Sequence, residues 1–191
     1  MRMTKGVGVV AALLAGLTFA AATDGPALLA ARTLRVPVDG VAPAALTDTY
    51  DQGRGERRHE ALDIMAPRGT RVVAVDDGRI AKLFTSVPGG LTIYHFDPAG
   101  NLAYYYAHLD RYADGLKEGM TVRRGDTLGY VGTSGNARMD APHLHFAVFR
   151  LGPEKQWWKG QPVNPYPALS AIRATAATAA FTSGRSRPRP S

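Results

Sequence analysis

The strongest constraint on this chain is a period-two alternation of apolar and polar residues that recurs through its middle, interrupted by glycine-bearing turns. Residues 70–83, TRVVAVDDGRIAKL, alternate about Asp77-Gly78. A strand sends successive side chains to opposite faces, and Asp-Gly supplies the positive φ of a tight turn, so this stretch predicts a hairpin of two paired strands. Residues 90–109 repeat the pattern. LTIYHF and LAYYYAHL are rich in aromatic and β-branched residues and flank the turn formers Asp97-Pro98-Ala99-Gly100-Asn101, which predicts a second hairpin. Further on, TVRRGDTLGYV up to Val131 carries Gly125-Asp126 and Gly129 between apolar residues, and HLHFAVFR over 143–150 alternates again. The expected fold is all-β, a mostly antiparallel sheet.

The flanks read differently. Residues 33–50 hold short apolar stretches broken by Pro37, Asp39-Gly40 and Pro43, which predicts an extended lead-in laid against the domain. Past Leu151 come Gly152-Pro153, Trp157-Trp158 and then Pro162, Pro165 and Pro167, which exclude central strands. The domain is therefore expected over 33–169. Beyond it, Arg173, Arg185, Arg187 and Arg189 stand among Ala, Thr, Ser and Pro with no acid to oppose them, so 170–191 reads as a disordered basic tail. A chain of 191 residues has room for one such core, and hence for one active site.

At the other end, Arg2 and Lys5 precede an uncharged apolar run over 7–22 that closes on Ala20-Ala21-Ala22. This is the layout of a secretory signal peptide, residues 1–22, with a cut after Ala22 and a second candidate cut near Ala31. The alternative is an uncleaved anchor, although the run falls short of the roughly 20 apolar residues that span a bilayer. The expected location is periplasmic or extracellular, in the cell envelope. Losing Arg2 and Lys5 takes the net charge from +7 to +5, so an acidic partner is expected. Outside the cytoplasm that points to acidic cell-wall polymers or lipid head groups, with the tail as a candidate contact, and not to nucleic acid.

With no cysteine, thiolate metal sites, disulfides and cysteine nucleophiles are all excluded. Three of the five histidines fall into two compact patterns, His59-Glu60-Ala61-Leu62-Asp63 and His143-Leu144-His145. Positions two or four apart on a strand share a face, so each pattern can aim two side chains into one cleft. A helix would also pair 59 with 63 but would splay 143 from 145. Two imidazoles and a carboxylate give zinc three ligands and leave a fourth position for water, the form of a catalytic site.

From about residue 50 to 169 the chain resembles the M23 metallopeptidases, the lysostaphin-like and LytM-like peptidoglycan endopeptidases. The resemblance rests on HEALDI at 59–64, YAHL at 106–109, GDTLGYVGTSGN at 125–136 and PHLHF at 142–146, in this order and separation. It implies a lysostaphin-like sheet with a cleft for zinc and substrate. It implies also that His59, Asp63 and His145 bind one Zn²⁺, that His143 is the general base, and that a protonated His108 lies opposite it to stabilise an oxyanion. The implied substrate is a peptide bond in peptidoglycan stem peptides or cross-links. Ala61 stands where many members have glycine, and Ala147 where an acid is common. Some members have lost their ligands and act as non-catalytic factors that bind the wall or activate an amidase, but this chain keeps all five matched positions.

Several features have plainer readings. His95, in TIYHF, matches no catalytic motif and reads as structural or cleft-lining. Among Tyr104, Tyr105 and Tyr106 one face is core, and Tyr106 shares the face of His108 and is a candidate contact to the site. Trp157 and Trp158 suit stacking on sugar rings or packing of a loop on the sheet. GTSG at 132–135 is a turn, since no Gly-Lys-Ser/Thr follows it. The hairpins resemble those of lipoyl carriers, but the tip at Asp76-Asp77-Gly78 has no lysine to modify.

Overall fold

The computed structural model describes residues 24–172; the expected signal segment 1–22 and residues 173–191 of the expected tail lie outside the described residues. Eleven strands follow in chain order: β1 (Gly53–Arg54), β2 (Arg57–Arg58), β3 (Leu62–Met65), β4 (Arg71–Val73), β5 (Gly78–Ser86), β6 (Gly90–Phe96), β7 (Leu102–Tyr112), β8 (Thr121–Val122), β9 (Thr127–Val131), β10 (His143–Leu151) and β11 (Gly160–Val163). Two short helices, α1 (Gly25–Ala30) and α2 (Tyr166–Ser170), flank them. Strands β1 and β2 form a separate two-stranded arm, and the other nine form one sheet with the path β11-β10-β7-β6-β5-β8. Off that path β3 pairs with β10, and β9 links β4 to β7. Every strand pairing among the described residues is antiparallel, as the alternation predicts.

The strand β10 shows how the pattern becomes packing. Leu144, Phe146 and Val148 are no more than 1% exposed and meet Leu62, Ile93, Tyr104 and Tyr106 in the main core, while His143, His145 and Phe149 point to the other face. Burying each of those apolar side chains contributes about 1.5–3 kcal/mol, enough to fix which face of β10 turns outward. The lead-in also behaves as expected. Val38 bridges Val72, Arg35 N–H donates to Val75 O and Val73 N–H to Pro37 O, and Leu34, Val36 and Val38 are buried. Ahead of it, Asp24 caps α1 by accepting from Ala27 N–H, and Leu29 of that helix is 1% exposed.

The hairpin expected at residues 90–109 is present as β6 and β7. Asp97 closes its loop, its Oδ1 accepting from Asn101 and Leu102 N–H. The one expected over 70–83 is not. β4 pairs with β9, while β5 pairs with β6 and β8, so Asp77-Gly78 is a crossing between neighbours and not a turn between partners. The reason is burial. Asp76 is 4% exposed and held by Arg32 Nε at 2.6 Å and Tyr104 Oη at 2.9 Å, which draws the dipeptide inward, and a Cβ on Gly78 would collide with Phe96 O and His95.

Candidate metal centre and its cleft

The site is assembled at the junction of β3, β7 and β10. Asp63 on β3 and His145 on β10 are direct partners on one rung of the ladder, so their Cα atoms are fixed by backbone pairing before any side chain acts. His59 is not on that strand. It follows β2, and the chain turns at Glu60, whose φ of 55° is left-handed, while His59 N–H donates to Gln52 O and Glu60 N–H to Tyr50 O. Thus 59 and 63 share a face through a turn and not through strand periodicity. Thr49, which no sequence motif marks, ties the pieces together. Its carbonyl accepts from His59 Nδ1 at 3.0 Å, its hydroxyl donates to Ala61 O, and it accepts from Asp63 N–H.

A carbonyl only accepts, so His59 carries its proton on Nδ1 and turns Nε2 toward its neighbours. That Nε2 lies 3.1 Å from His145 Nδ1 and 3.0 Å from Asp63 Oδ1, and His145 Nδ1 lies 3.1 Å from the same oxygen. Ligands at 2.0–2.1 Å in a tetrahedron stand about 3.3 Å apart, so this nearly equilateral triangle of lone pairs matches one face of a zinc polyhedron. Burial pushes the Asp63 carboxyl up, but hydrogen bonds and charge from His145 and His59 more than offset this and hold it well below the usual carboxylate range. Burial also lowers His145, against the opposing pull of Asp63. Among the described residues, His59, Asp63 and His145 form the group whose ligand atoms could hold a metal ion. Asp63 Oδ2, on the side away from the triangle, receives Arg54 Nη2 at 2.6 Å.

Two more imidazoles face the same space. His143 donates Nδ1–H to Ala141 O at 2.9 Å, and His108 donates Nδ1–H to Ser134 O at 2.8 Å, which leaves Nε2 of each ring as the unprotonated nitrogen of its neutral form. Their ring centroids are 5.0 Å apart, and His143 Nε2 is 3.7 Å from Asp63 Oδ1. His108 is 6% exposed, and burial lowers it to about 4.

The tyrosine nearest the site is also not the one anticipated. Tyr105 lines the cleft with its ring 6.1 Å from His145, while Tyr106 is fully buried on the core side, with Val75 N–H donating to its hydroxyl. The cause is a one-residue bulge. His108 has a φ of 61°, and β7 spends three residues from Tyr106 to Leu109 where β6 spends two. The extra residue puts His108 on the face of Tyr105 and breaks the alternation on which the expectation rested. The turn 132–135 seats it. Ser134 accepts from Leu91 N–H, donates to Leu109 O and presents its carbonyl to His108.

His95 is structural, with no exposure and its Nδ1 3.2 Å from Tyr106 Oη. Trp157 packs on Phe84 and Tyr94, as a loop covering the sheet would, and Trp158 is 63% exposed. The cleft encloses about 770 Å³ and carries Arg54, Arg57, Arg58 and Arg138 on its walls. A larger groove of about 1130 Å³ between α1, the lead-in and α2 has no histidine or carboxylate in its lining and is remote from this chemistry.

Comparison with known proteins gives a consistent picture. The family model described as Peptidase family M23 matches residues 57–165. The chain is 34% identical over 122 residues to the L-Ala--D-Glu endopeptidase of Bacillus subtilis, covering 61% of this chain and 36% of that protein. It is 30% identical over 119 residues to the murein hydrolase activator EnvC of Escherichia coli, covering 62% and 25%. Among solved structures, Helicobacter pylori Csd3 matches with a TM-score of 0.54 and 27% identity, covering 71% of this chain and 32% of that one. The chain thus spans about a third or less of the length of these proteins.

Proposed function

The chain belongs to peptidase family M23, and on that premise we propose that it is an exported zinc endopeptidase that hydrolyses a peptide bond in the stem peptides or cross-links of peptidoglycan. The observation that carries this reading is the triangle of His59 Nε2, Asp63 Oδ1 and His145 Nδ1, with edges of 3.0–3.1 Å and an open cleft before it. Zinc held there would supply an acidified water and a Lewis acid for the scissile carbonyl.

The remaining roles belong to the chain itself. Thr49 O fixes the tautomer of His59, and Arg54 occupies the outer oxygen of Asp63, so the carboxylate presents Oδ1 inward. His143, with its Nδ1–H committed to Ala141, offers Nε2 as the base that takes a proton from the attacking water and returns it to the departing amine. His108, its Nδ1–H committed to Ser134, would in its protonated form also present an Nε2–H donor to the oxygen on which charge develops. Contact of the Arg-rich 170–191 segment with acidic wall polymers belongs to the same proposal.

The test measures metal and digestion together. Wild-type protein is expected to hold one zinc per chain and to release peptides from purified peptidoglycan until a chelator is added, while His145→Ala loses both properties. Mass spectrometry of the products identifies the bond. Digestion that survives metal removal, or unchanged metal content in His145→Ala, would sink the assignment. The similarity to EnvC favours a second reading, a factor that activates a separate hydrolase. A zinc-loaded protein that leaves peptidoglycan intact but accelerates another hydrolase would select it.

A further inference from the structure

The arm formed by β1 and β2 has no core to cover, and every residue of its sequence, GRGERR, is charged or glycine. Its turn is Gly55-Glu56, with Gly55 at a φ of 67°, and its register sets Arg54 directly opposite Arg57. Opposed residues on paired strands project from the same face, and two like charges so placed repel. Arg54 reaches into the metal centre to meet Asp63 at 2.6 Å, which identifies that face as the one looking into the cleft. Arg57 therefore looks the same way, and it too lines the cleft.

Of the four arginines on the cleft walls, three are neutralised locally: Arg54 by Asp63, Arg58 by Asp51 at 3.1 Å and Arg138 by Asp140 at 2.7 Å. Arg57 has neither a hydrogen bond nor an ion pair among the described residues. The lining otherwise contains only two carboxylates, those of Glu60 and Asp63, and a bound divalent cation would add to the positive excess. Arg57 thus stands as the unpaired guanidinium at the mouth of a cationic cleft, where an anion supplied from outside would be its partner. The planar fork of arginine suits a carboxylate, which it can bind through two parallel N–H···O bonds.

Resting on the proposed peptidase function, we propose that Arg57 is a specificity residue that binds a free carboxylate of the substrate. The substrate is then an acidic stem peptide and not a run of uncharged glycines.

The experiment uses the zinc-loaded full chain with two probes: a soluble cross-linked stem-peptide dimer with its carboxylates free, and the same dimer with them amidated. Wild type is expected to favour the free acid by about tenfold or more in kcat/KM, as a charge-assisted bidentate contact would give, and to lose that preference as salt is raised. Arg57→Gln should bring the preference below about threefold, through KM and not kcat, with Arg57→Lys intermediate because it keeps the charge without the fork. The same order is expected for Kd measured in the background of His143→Ala. Equal treatment of both probes by wild type would overturn the proposal, as would a parallel loss on both in Arg57→Gln. If neither probe is cleaved the peptidase reading fails, while the two Kd values still decide whether the carboxylate site exists.

Discussion

Two polar clusters, each with histidine and aspartate, meet at β7 from its two faces and are built to opposite ends. On the core side, His95 of β6 meets Tyr106 of β7, and Tyr104 and Arg32 both donate to Asp76. On the cleft side, His59, Asp63 and His145 turn three lone pairs toward one point, with His143 and His108 beside them. Both contain histidine and aspartate, but in the core Asp76 has found its donors, even though His95 Nε2 has no hydrogen-bond partner, whereas in the cleft the lone pairs of His59, Asp63 and His145 converge on one another. A buried carboxylate that has found its hydrogens is part of the scaffold; a set of donors still short of a cation or a proton is a site.

That contrast can be broken from either side. The largest effect is expected on the cleft side from His143→Ala, which should lower peptidoglycan hydrolysis by about 10²–10⁴, the range for removing a general base, with zinc content and unfolding midpoint little changed. Loss of the metal in this variant would make His143 part of the ligand set. Next comes acid. His95 titrates at about 4 in the folded chain against an ordinary 6.5, because burial disfavours its charge. Between those values the unfolded chain takes up a proton that the folded chain refuses, so stability should fall as pH drops from about 6.5 to 4, by up to about 3 kcal/mol. In the metal-free protein His108 acts in the same direction. Urea unfolding at pH 7.5 and 4.5 measures this, and His95→Gln should flatten the dependence; a stability indifferent to pH would mean that His95 is not held neutral. The smallest effect is expected from Tyr104→Phe, which removes one donor to Asp76 and should cost about 1–3 kcal/mol in unfolding while leaving zinc content unchanged.

The sequence made the ligands easier to find than their surroundings. HEALD and HLH could be paired because strand periodicity is local, and β10 obeys it from His143 to Leu151. The hairpin at 90–109 was legible for the same reason, since its partners are neighbours in sequence and Asp97 closes the turn. What stayed hidden depended on distant pairing or on single backbone angles. Residues 70–83 alternate as a hairpin would, yet alternation names a face and not a partner, and β4 found β9 instead. One left-handed residue, His108, put Tyr105 in the cleft in place of Tyr106, and another, Glu60, brought His59 to Asp63 through a turn. Thr49 and Ser134 hold His59 and His108 through their backbone carbonyls, which no side-chain motif reveals. The arm of β1 and β2 lacks the apolar alternation by which a strand is recognised, so Arg54 and Arg57 went unread.

The pairing of Asp63 with His145 on one rung has a consequence for how the protein matures. Strand β3 is four residues long and joins the edge of β10 across more than eighty residues of chain, so it is among the last rungs expected to zip. A slip of one residue would turn Asp63 toward the core and bring Leu62 into the cleft, removing a ligand outright instead of weakening it. The ligand triangle is thereby made contingent on correct closure of the final rung, and an incompletely closed chain lacks it.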